Sequence, residues 1–441
     1  MKTYRKGRKV FISFLGASNY SECQYLINGE LSPSVRYVQE AMLNHYSQSG
    51  EWSQSDKAYI LLTDIARERN WENDGHCNRD THATIKQSGL RERLETCNLA
   101  MPVEPIGVLP GNNEAEIMTI FTTLFNLLQE GDELYFDITH GFRYLPIIAL
   151  VLGNYSKFLK DVKVKWIGYG NFEDRDKDTN TAQVVDLTSM SMLQDWTTAA
   201  ADFTNNGNAK SLVNLTQTQL KPILREARGS NANATAIKRM AGALEAVVDD
   251  FKNCRGFNII EACNVKSLNK SLDDIEDCMI EPLTPVLEKM REGISEFDVE
   301  AQENIVNGFE AAHWCLNNNM TQQAATILQE TIITSVCMRN SLDYKVESQR
   351  NISSKALNVK AYEKPVDSWT LKYEEYEPFK SIIDTEKLLD NKEFLNSYRN
   401  LAELRNDLNH CGMRNNPMKA AQLKEKIMNL QYVLCNILIK G

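Results

Sequence analysis

The chain has 441 residues, too many for one ordinary hydrophobic core, and its length implies two or three domains. Its 42% hydrophobic content excludes a disordered protein, and its net charge of −10 excludes a chain that holds nucleic acid over its whole surface, so any RNA contact must come from a local basic patch. The ten cysteines are scattered without a CxxC pair, which suits a reduced, cytoplasmic protein.

Lys2, Arg5, Lys6, Arg8 and Lys9 precede the apolar run Val10–Leu15, an arrangement that imitates a secretory signal. The run is too short for one and reads as a buried first strand. Further short apolar, β-branched runs at Ala58–Thr63, Glu104–Leu109, Glu133–Thr139, Val162–Gly168 and Ala182–Leu187 predict strands. Helical patterns lie between them: Val35, Val38 and Met42, then Ile117, Ile120, Leu124 and Leu127, then a helix that begins near Pro146 and runs to about Leu159. This alternation predicts a mostly parallel sheet with helices on both faces over residues 1–190. The apolar stretch Ile147–Leu152 is far too short to span a bilayer, so no membrane is expected. His76, Cys77 and His82 are close together, but no fourth ligand stands at a usual spacing, which argues against zinc.

Four loops follow the strand ends: Gly16-Ala17-Ser18-Asn19, Thr63-Asp64, Pro110-Gly111-Asn112-Asn113 and Thr139-His140-Gly141-Phe142-Arg143. A doubly wound sheet gathers such loops at its carboxyl edge, where ligands bind. Glycines admit phosphate close to the backbone, helix N-termini favour anions, and His140 and Arg143 add donors. The first loop is not GxGxxG and no Walker lysine appears, which argues against a dinucleotide or P-loop enzyme. The same residue types also serve as plain turns and caps.

After Leu187 the strand signals stop. Residues 191–300 read as a polar helical connector with breaks at Asn205–Asn208 and Gly229–Asn233. From about Gln302 helical spacing returns in Ile305, Phe309, Ala312 and Leu316. The turn Asn317–Met320 leads to a second helix, Thr321–Cys337, with Thr321 as its expected N-cap. Residues 340–370 read as irregular. Helices Lys392–Cys411 and Met418–Ile439 follow, the last with the stripe Leu423, Ile427, Leu430, Leu434 and Ile437 that needs partner helices, so residues 301–441 predict a helical bundle.

One position breaks the pattern. Phe394, Tyr398, Leu401 and Leu408 form an apolar stripe in which position 405 should be apolar, and it is arginine. A guanidinium there is costly unless something pairs with it. His410 stands in the last turn, just before the stop at Cys411-Gly412. A purely structural account has Arg405 snorkelling or pairing with Glu403 or Asp407, and His410 capping the helix. Two features favour chemistry instead: Asn406 adds a polar neighbour, and residues 391–441 carry eight basic side chains against four acidic ones, a local charge of +4. In RNA the 2′-OH attacks the adjacent phosphorus if a base takes its proton and the leaving 5′-oxygen gains one. Histidine suits either role, and a guanidinium can hold the phosphorane. DNA lacks that nucleophile. No carboxylate cluster accompanies the motif, so no metal is expected.

Residues Arg405-Asn406-Asp407-Leu408-Asn409-His410 resemble the Arg-x4-6-His motif of HEPN ribonucleases, and Ala311-Ala312-His313-Trp314 with Gln323-Ala324-Ala325 and Gln329-Glu330 is similar to the early helices of that fold. The resemblance implies a composite site shared by two chains, with Arg405, Asn406 and His410 as its catalytic set. Asp137-Ile138-Thr139-His140-Gly141-Phe142-Arg143-Tyr144-Leu145-Pro146 resembles the characteristic segment of one branch of the CARF (CRISPR-associated Rossmann fold) proteins. The opening Phe11–Gly16 with Tyr20, and Leu109–Glu116, are similar to the same branch. This second resemblance implies a homodimer whose paired pockets bind a cyclic oligoadenylate made by a type III CRISPR complex, with cyclic tetra-adenylate as the family-weighted expectation. Its contacts would be Gly16, Ala17, Ser18, Asn19, Thr63, Gly111, Asn112, Asn113, Thr139, His140, Gly141, Phe142 and Arg143.

The expected architecture is therefore α/β plus all-α: an N-terminal Rossmann-like CARF domain (1–190), a helical connector (191–300) and a C-terminal HEPN bundle (301–441). The expected function is a cyclic oligoadenylate-activated, metal-independent endoribonuclease that cuts single-stranded RNA in antiviral defence. Two alternatives stand beside it: a nucleotide-sensing regulator with a non-catalytic helical domain, and a ring nuclease in which Ser18, Thr139 and His140 degrade the activator.

Overall fold

A computed structural model describes residues 7–78, 80–220, 224–225, 231–275, 284–297, 300 and 304–440. Lys2, Arg5, Lys6, Gly229 and Gln302, used in the sequence reading, lie outside the described residues. The chain divides into two compact units, Met1–Met192 and Leu193–Gly441.

The first unit is built on one eight-stranded sheet. In chain order its strands are β1 (Lys9–Leu15), β2 (Gln24–Ile27), β3 (Glu30–Leu31), β4 (Lys57–Leu62), β7 (Val103–Gly107), β8 (Glu133–Asp137), β9 (Lys163–Asp176) and β10 (Thr181–Asp186). The intervening β5 (His76–Cys77) and β6 (Thr84–Ile85) form a separate small hairpin. The sheet order is β3-β2-β10-β9-β8-β1-β4-β7, and β9, β8, β1, β4 and β7 run parallel to one another. All seven residues of β1 are buried because both faces are covered. Phe11 and Leu15 enter one core with Val38, Met42 and Leu90, whereas Val10, Ile12 and Phe14 enter the other with Ile120, Leu124, Ile148 and Leu152.

The six predicted strands all correspond to strands of this sheet, whereas β2, β3 and the hairpin carry no comparable apolar run. Strand β9 is twice its predicted length because it continues past the carboxyl edge to pair antiparallel with β10. Val35 is not helical; it bridges Cys23, and the helix starts at Val38. Helix Glu114–Leu127 begins three residues before the expected stripe, and helix Leu145–Lys160 lies within a residue of expectation, with proline in its first turn. From β1 the chain steps outward to β4 and β7, then returns to place β8 on the other side of β1. The reversal opens a crevice at the carboxyl ends of β1 and β8.

The second unit is helical among its described residues. Trp196, Phe203, Ile237, Met240 and Phe251, from the stretch expected as a connector, share one core with Phe309, Leu328, Phe379, Phe394 and Tyr398. Asn231 caps helix Ala232–Lys252, its side chain accepting from Ala234 N. Thr321 is not an N-cap: it is the first residue of helix Thr321–Arg339, and the cap is Met320, which offers no side-chain bond. Residues 340–370 are not irregular throughout, because helix Glu347–Ala361 lies there, burying Ile352, Ala356 and Leu357 beneath a polar outer face. Helix Tyr373–Thr385 follows. Helix Lys392–Asn409 ends with His410 as C-cap, and Cys411 (φ 55°) and Gly412 (φ 67°) then turn left-handed. Helix Ala420–Cys435 continues as a π turn, Asn436–Lys440. Among the described residues no helix is long and apolar enough to cross a membrane.

Candidate functional sites

The crevice in the first unit holds a cavity of about 810 Å³. Gly16, Ala17, Ser18, Asn19, Thr63, Thr139, His140, Gly141 and Phe142 line it, together with Tyr20, Tyr169, Phe172 and Glu173, which the sequence reading left out of the site. Gly111, Asn112, Asn113 and Arg143 do not line it.

A chain of buried polar groups sets the floor. Asp137, at the end of β8, stands opposite Ser13 in β1 and accepts a 2.6 Å hydrogen bond from Ser13 Oγ. Its other oxygen accepts from Thr139 N (2.9 Å) and Thr139 Oγ1 (2.6 Å). Thr139 Oγ1 in turn accepts from Gly170 N at 2.7 Å, and Gln39 Nε2 donates to Ser13 Oγ at 3.0 Å. Burial pushes the Asp137 carboxyl above its usual range, opposed by its three donors. Asp137 is therefore a strut for the β8 loop, and the Thr139 hydroxyl is already committed to it.

The β1 loop is held from outside. Asn70 is fully buried, and its Nδ2 donates to both Gly16 O and Ser18 O at 2.8 Å. Its Oδ1 faces His76 Nε2 at 3.0 Å, which gives that histidine a structural role; among the described residues no three His, Cys, Asp or Glu are grouped as a metal would need. Arg36 donates to Tyr20 O at 2.9 Å and Asn19 Oδ1 at 3.2 Å, and it also bonds Gln87 Oε1. A Cβ at Gly16 would lie 2.2 Å from Tyr20 Oη, so any larger residue there would displace that ring. The Tyr20 ring packs on His140 with centroids 4.3 Å apart. His140 Nε2 is buried with no hydrogen-bond partner among the described residues, and burial pushes the imidazole down to about 4, so the ring is neutral near pH 7.

The Gly111 loop answers to its own helix. Gly111 N and Asn112 N donate to Glu116 Oε2 at 2.9 and 3.0 Å, while Asn113 Oδ1 accepts from Glu116 N. The amides that suggested a phosphate cradle thus serve an internal carboxylate, as in a capping box. Gly111 needs its positive φ of 74°, and Tyr144 Oη fills the space a Cβ would take.

In the second unit, Phe394, Tyr398 and Leu401 are fully buried on one face of helix Lys392–Asn409, and Arg405 continues that face half-buried. Its Nε is buried with no hydrogen-bond partner, and among the described residues it forms no ion pair with Glu403 or Asp407. Asp407 turns instead to the following loop, accepting from Met418 N at 3.1 Å with Arg414 Nε at 3.9 Å. Cys254 and Tyr398 lie in the field of Arg405. Asn406 and His410 are exposed. His410 N donates to Asn406 O at 3.0 Å, so backbone bonds fix the cap while the imidazole faces solvent. Asn409 Oδ1 accepts from Gln322 Nε2 at 3.2 Å, tying this helix end to helix Thr321–Arg339. Among the described residues, one helix thus carries a guanidinium that forms no ion pair and a solvent-facing imidazole, the two groups that phosphodiester cleavage uses.

A parallel-cored sheet with a loop-lined cavity at its switch point defines the first unit as a Rossmann-type domain with a ligand-sized crevice. Residues 10–173 match the family described as the CARF domain of the CRISPR system endoribonuclease Csx1. Over 108 residues, 24% of this chain, the sequence is 34% identical to CRISPR-associated protein MJ1674 of Methanocaldococcus jannaschii. The matched stretch spans 17% of that relative's length. Residues 10–173 thus form a CARF-type domain, similar to those of CRISPR-associated proteins. The CARF match ends before Arg405 and His410.

Proposed function

We propose that the protein is an endoribonuclease of type III CRISPR defence, switched on by a cyclic oligoadenylate in the CARF pocket and cutting single-stranded RNA without a metal. Arg405 carries this reading: a half-buried guanidinium with an unpartnered Nε, on an apolar helix face, with His410 on the same helix. The motif's likeness to HEPN ribonucleases and the Csx1-type sensor in the same chain support it. Two chains bring their Arg405 and His410 side chains together. A His410 imidazole takes the proton of the 2′-OH, which attacks the adjacent phosphorus. An imidazolium returns a proton to the leaving 5′-oxygen, and Arg405 stabilises the phosphorane. Asn406 orients the strand. The cavity of about 810 Å³ is large enough for part of a ring, with the remainder held by the partner's pocket, and cyclic tetra-adenylate is the first ring to test.

The test is cleavage of labelled RNA with and without cyclic tetra-adenylate, in EDTA. Activator-dependent cutting that survives chelation and disappears in His410→Ala is expected. Full loss in EDTA, or near-normal turnover in His410→Ala, would overturn the mechanism.

The neutral, unpartnered His140 Nε2 supports a second activity, slow ring opening of the activator in the CARF pocket. The Thr139 hydroxyl is held in the floor, donating to Asp137 and accepting from Gly170 N, which leaves the 2′-OH of the ring itself to attack, with His140 as base. Linear products from activator incubated with wild-type protein, absent with His140→Ala, are the expected outcome.

A further inference from the structure

The second unit contains a cavity of about 380 Å³ between the short helix Gly256–Ile260 and helix Thr321–Arg339, closed by Tyr344 and Arg350. Its floor is apolar: Ile259, Ile260, Ile327 and Tyr344 are buried. At its mouth stands Phe257, a phenyl ring left 47% exposed, edge-on to Tyr344 with centroids 5.9 Å apart. One wall carries donors and acceptors held in fixed positions. Arg350 Nη2 donates to Glu330 Oε2 at 2.6 Å, and its Nη1 donates to Thr334 Oγ1 at 2.8 Å. At the rim Arg255 is exposed and, among the described residues, without an ion pair; its Nε bonds Asn253 O at 2.8 Å.

An exposed aromatic face, an apolar floor, a polar wall and a cation at the rim are what one unstacked base and its phosphate require. An apolar ligand would leave the charged wall unused. The size lies near the lower end of the range for small-ligand pockets, about 300–1,000 Å³, and suits a single nucleoside. The cavity also neighbours the catalytic helix. Helix Thr321–Arg339 packs against helix Lys392–Asn409, Cys254 of the cavity wall lies in the field of Arg405, and Tyr398 lies in the fields of both Arg405 and Glu330.

We infer that this cavity is a base-selective subsite for single-stranded RNA: a nucleobase lies against Phe257 with its polar edge toward Glu330, Thr334 and Arg350, and Arg255 holds a flanking phosphate. The inference deepens the ribonuclease reading and rests on it. Binding of uncleavable 2′-O-methyl RNA hexamers of A, C, G or U to the full chain separates the two. Wild-type protein is expected to prefer one base. Phe257→Ala should weaken that hexamer about tenfold and level the four affinities, whereas Phe257→Tyr should retain the preference. Equal binding of all four by wild type, or an unchanged pattern in Phe257→Ala, overturns the subsite even if the enzyme cuts RNA. Selective binding that Phe257→Ala abolishes, in a protein that cuts no RNA under any activator, supports the subsite and sinks the ribonuclease reading alone.

Discussion

Two nitrogen atoms frame the proposed chemistry at the level of single residues: Arg405 Nε and His140 Nε2, each buried and, among the described residues, each without a hydrogen-bond partner. An unsatisfied buried donor costs about 1–3 kcal/mol, so Arg405 weakens the fold it sits in. Arg405→Met should raise stability by about 1 kcal/mol in denaturant titration while removing RNA cleavage; a destabilised variant would mean that the arginine serves structure. His140 makes a pH prediction. Unfolded, it takes up a proton near 6.5; folded, only near 4. Its contribution is therefore complete above pH 6.5 and is lost as pH falls toward 4, by about 3 kcal/mol at most. His140→Phe should flatten the stability profile between those values, and an unaltered slope would show that burial does not hold the ring neutral. Arg405 was legible in the sequence because a local helical stripe exposes an intruder. The state of His140 was not, because Tyr20, which covers it, comes from another strand's loop.

For whole elements, what was legible is what depends on periodicity. The mostly parallel sheet with helices on both faces follows from alternating apolar runs and helices, and the carboxyl-edge loops follow from the sheet. Gly111–Asn113 looked like Gly16–Asn19 in composition, yet one loop lines the cavity and the other bonds Glu116. Nothing local separates a phosphate cradle from a capping device when both are rich in Gly and Asn. The residues that hold the β1 loop, Asn70 and Arg36, were illegible for a different reason: their partners are backbone carbonyls distant in the chain. Asn70→Ala would strand Gly16 O and Ser18 O. We expect it to cost about 1–3 kcal/mol and to raise the cyclic tetra-adenylate concentration needed for half-activation, with maximal cleavage retained. A lower maximum at an unchanged midpoint would place Asn70 outside ligand organisation.

At the scale of the whole molecule, a composite nuclease needs a second chain, and helix Leu145–Lys160 offers a place for one. Its inner side buries Ile148, Ala149, Leu152 and Ser156, as a covering helix should. Its outer side should then be polar, yet it carries Ile147, Val151, Tyr155, Phe158 and Leu159, with Phe158 87% exposed and Ile147 66% exposed. Met118, on the neighbouring helix Glu114–Leu127, is exposed as well. A helix apolar all round is one that expects to be covered, and contiguous exposed apolar patches mark association surfaces. Phe158→Asp puts a charge where a partner would desolvate it, at a position whose exposure leaves the fold of one chain intact. Light scattering after size exclusion should report twice the chain mass for wild type and a single chain for the variant. On the proposed composite site, RNA cleavage should fall with the dimer, because one chain would supply only half of the Arg405 and His410 set. A variant that stays dimeric moves the interface elsewhere on the molecule; a monomer that cuts RNA at the wild-type rate removes the composite site.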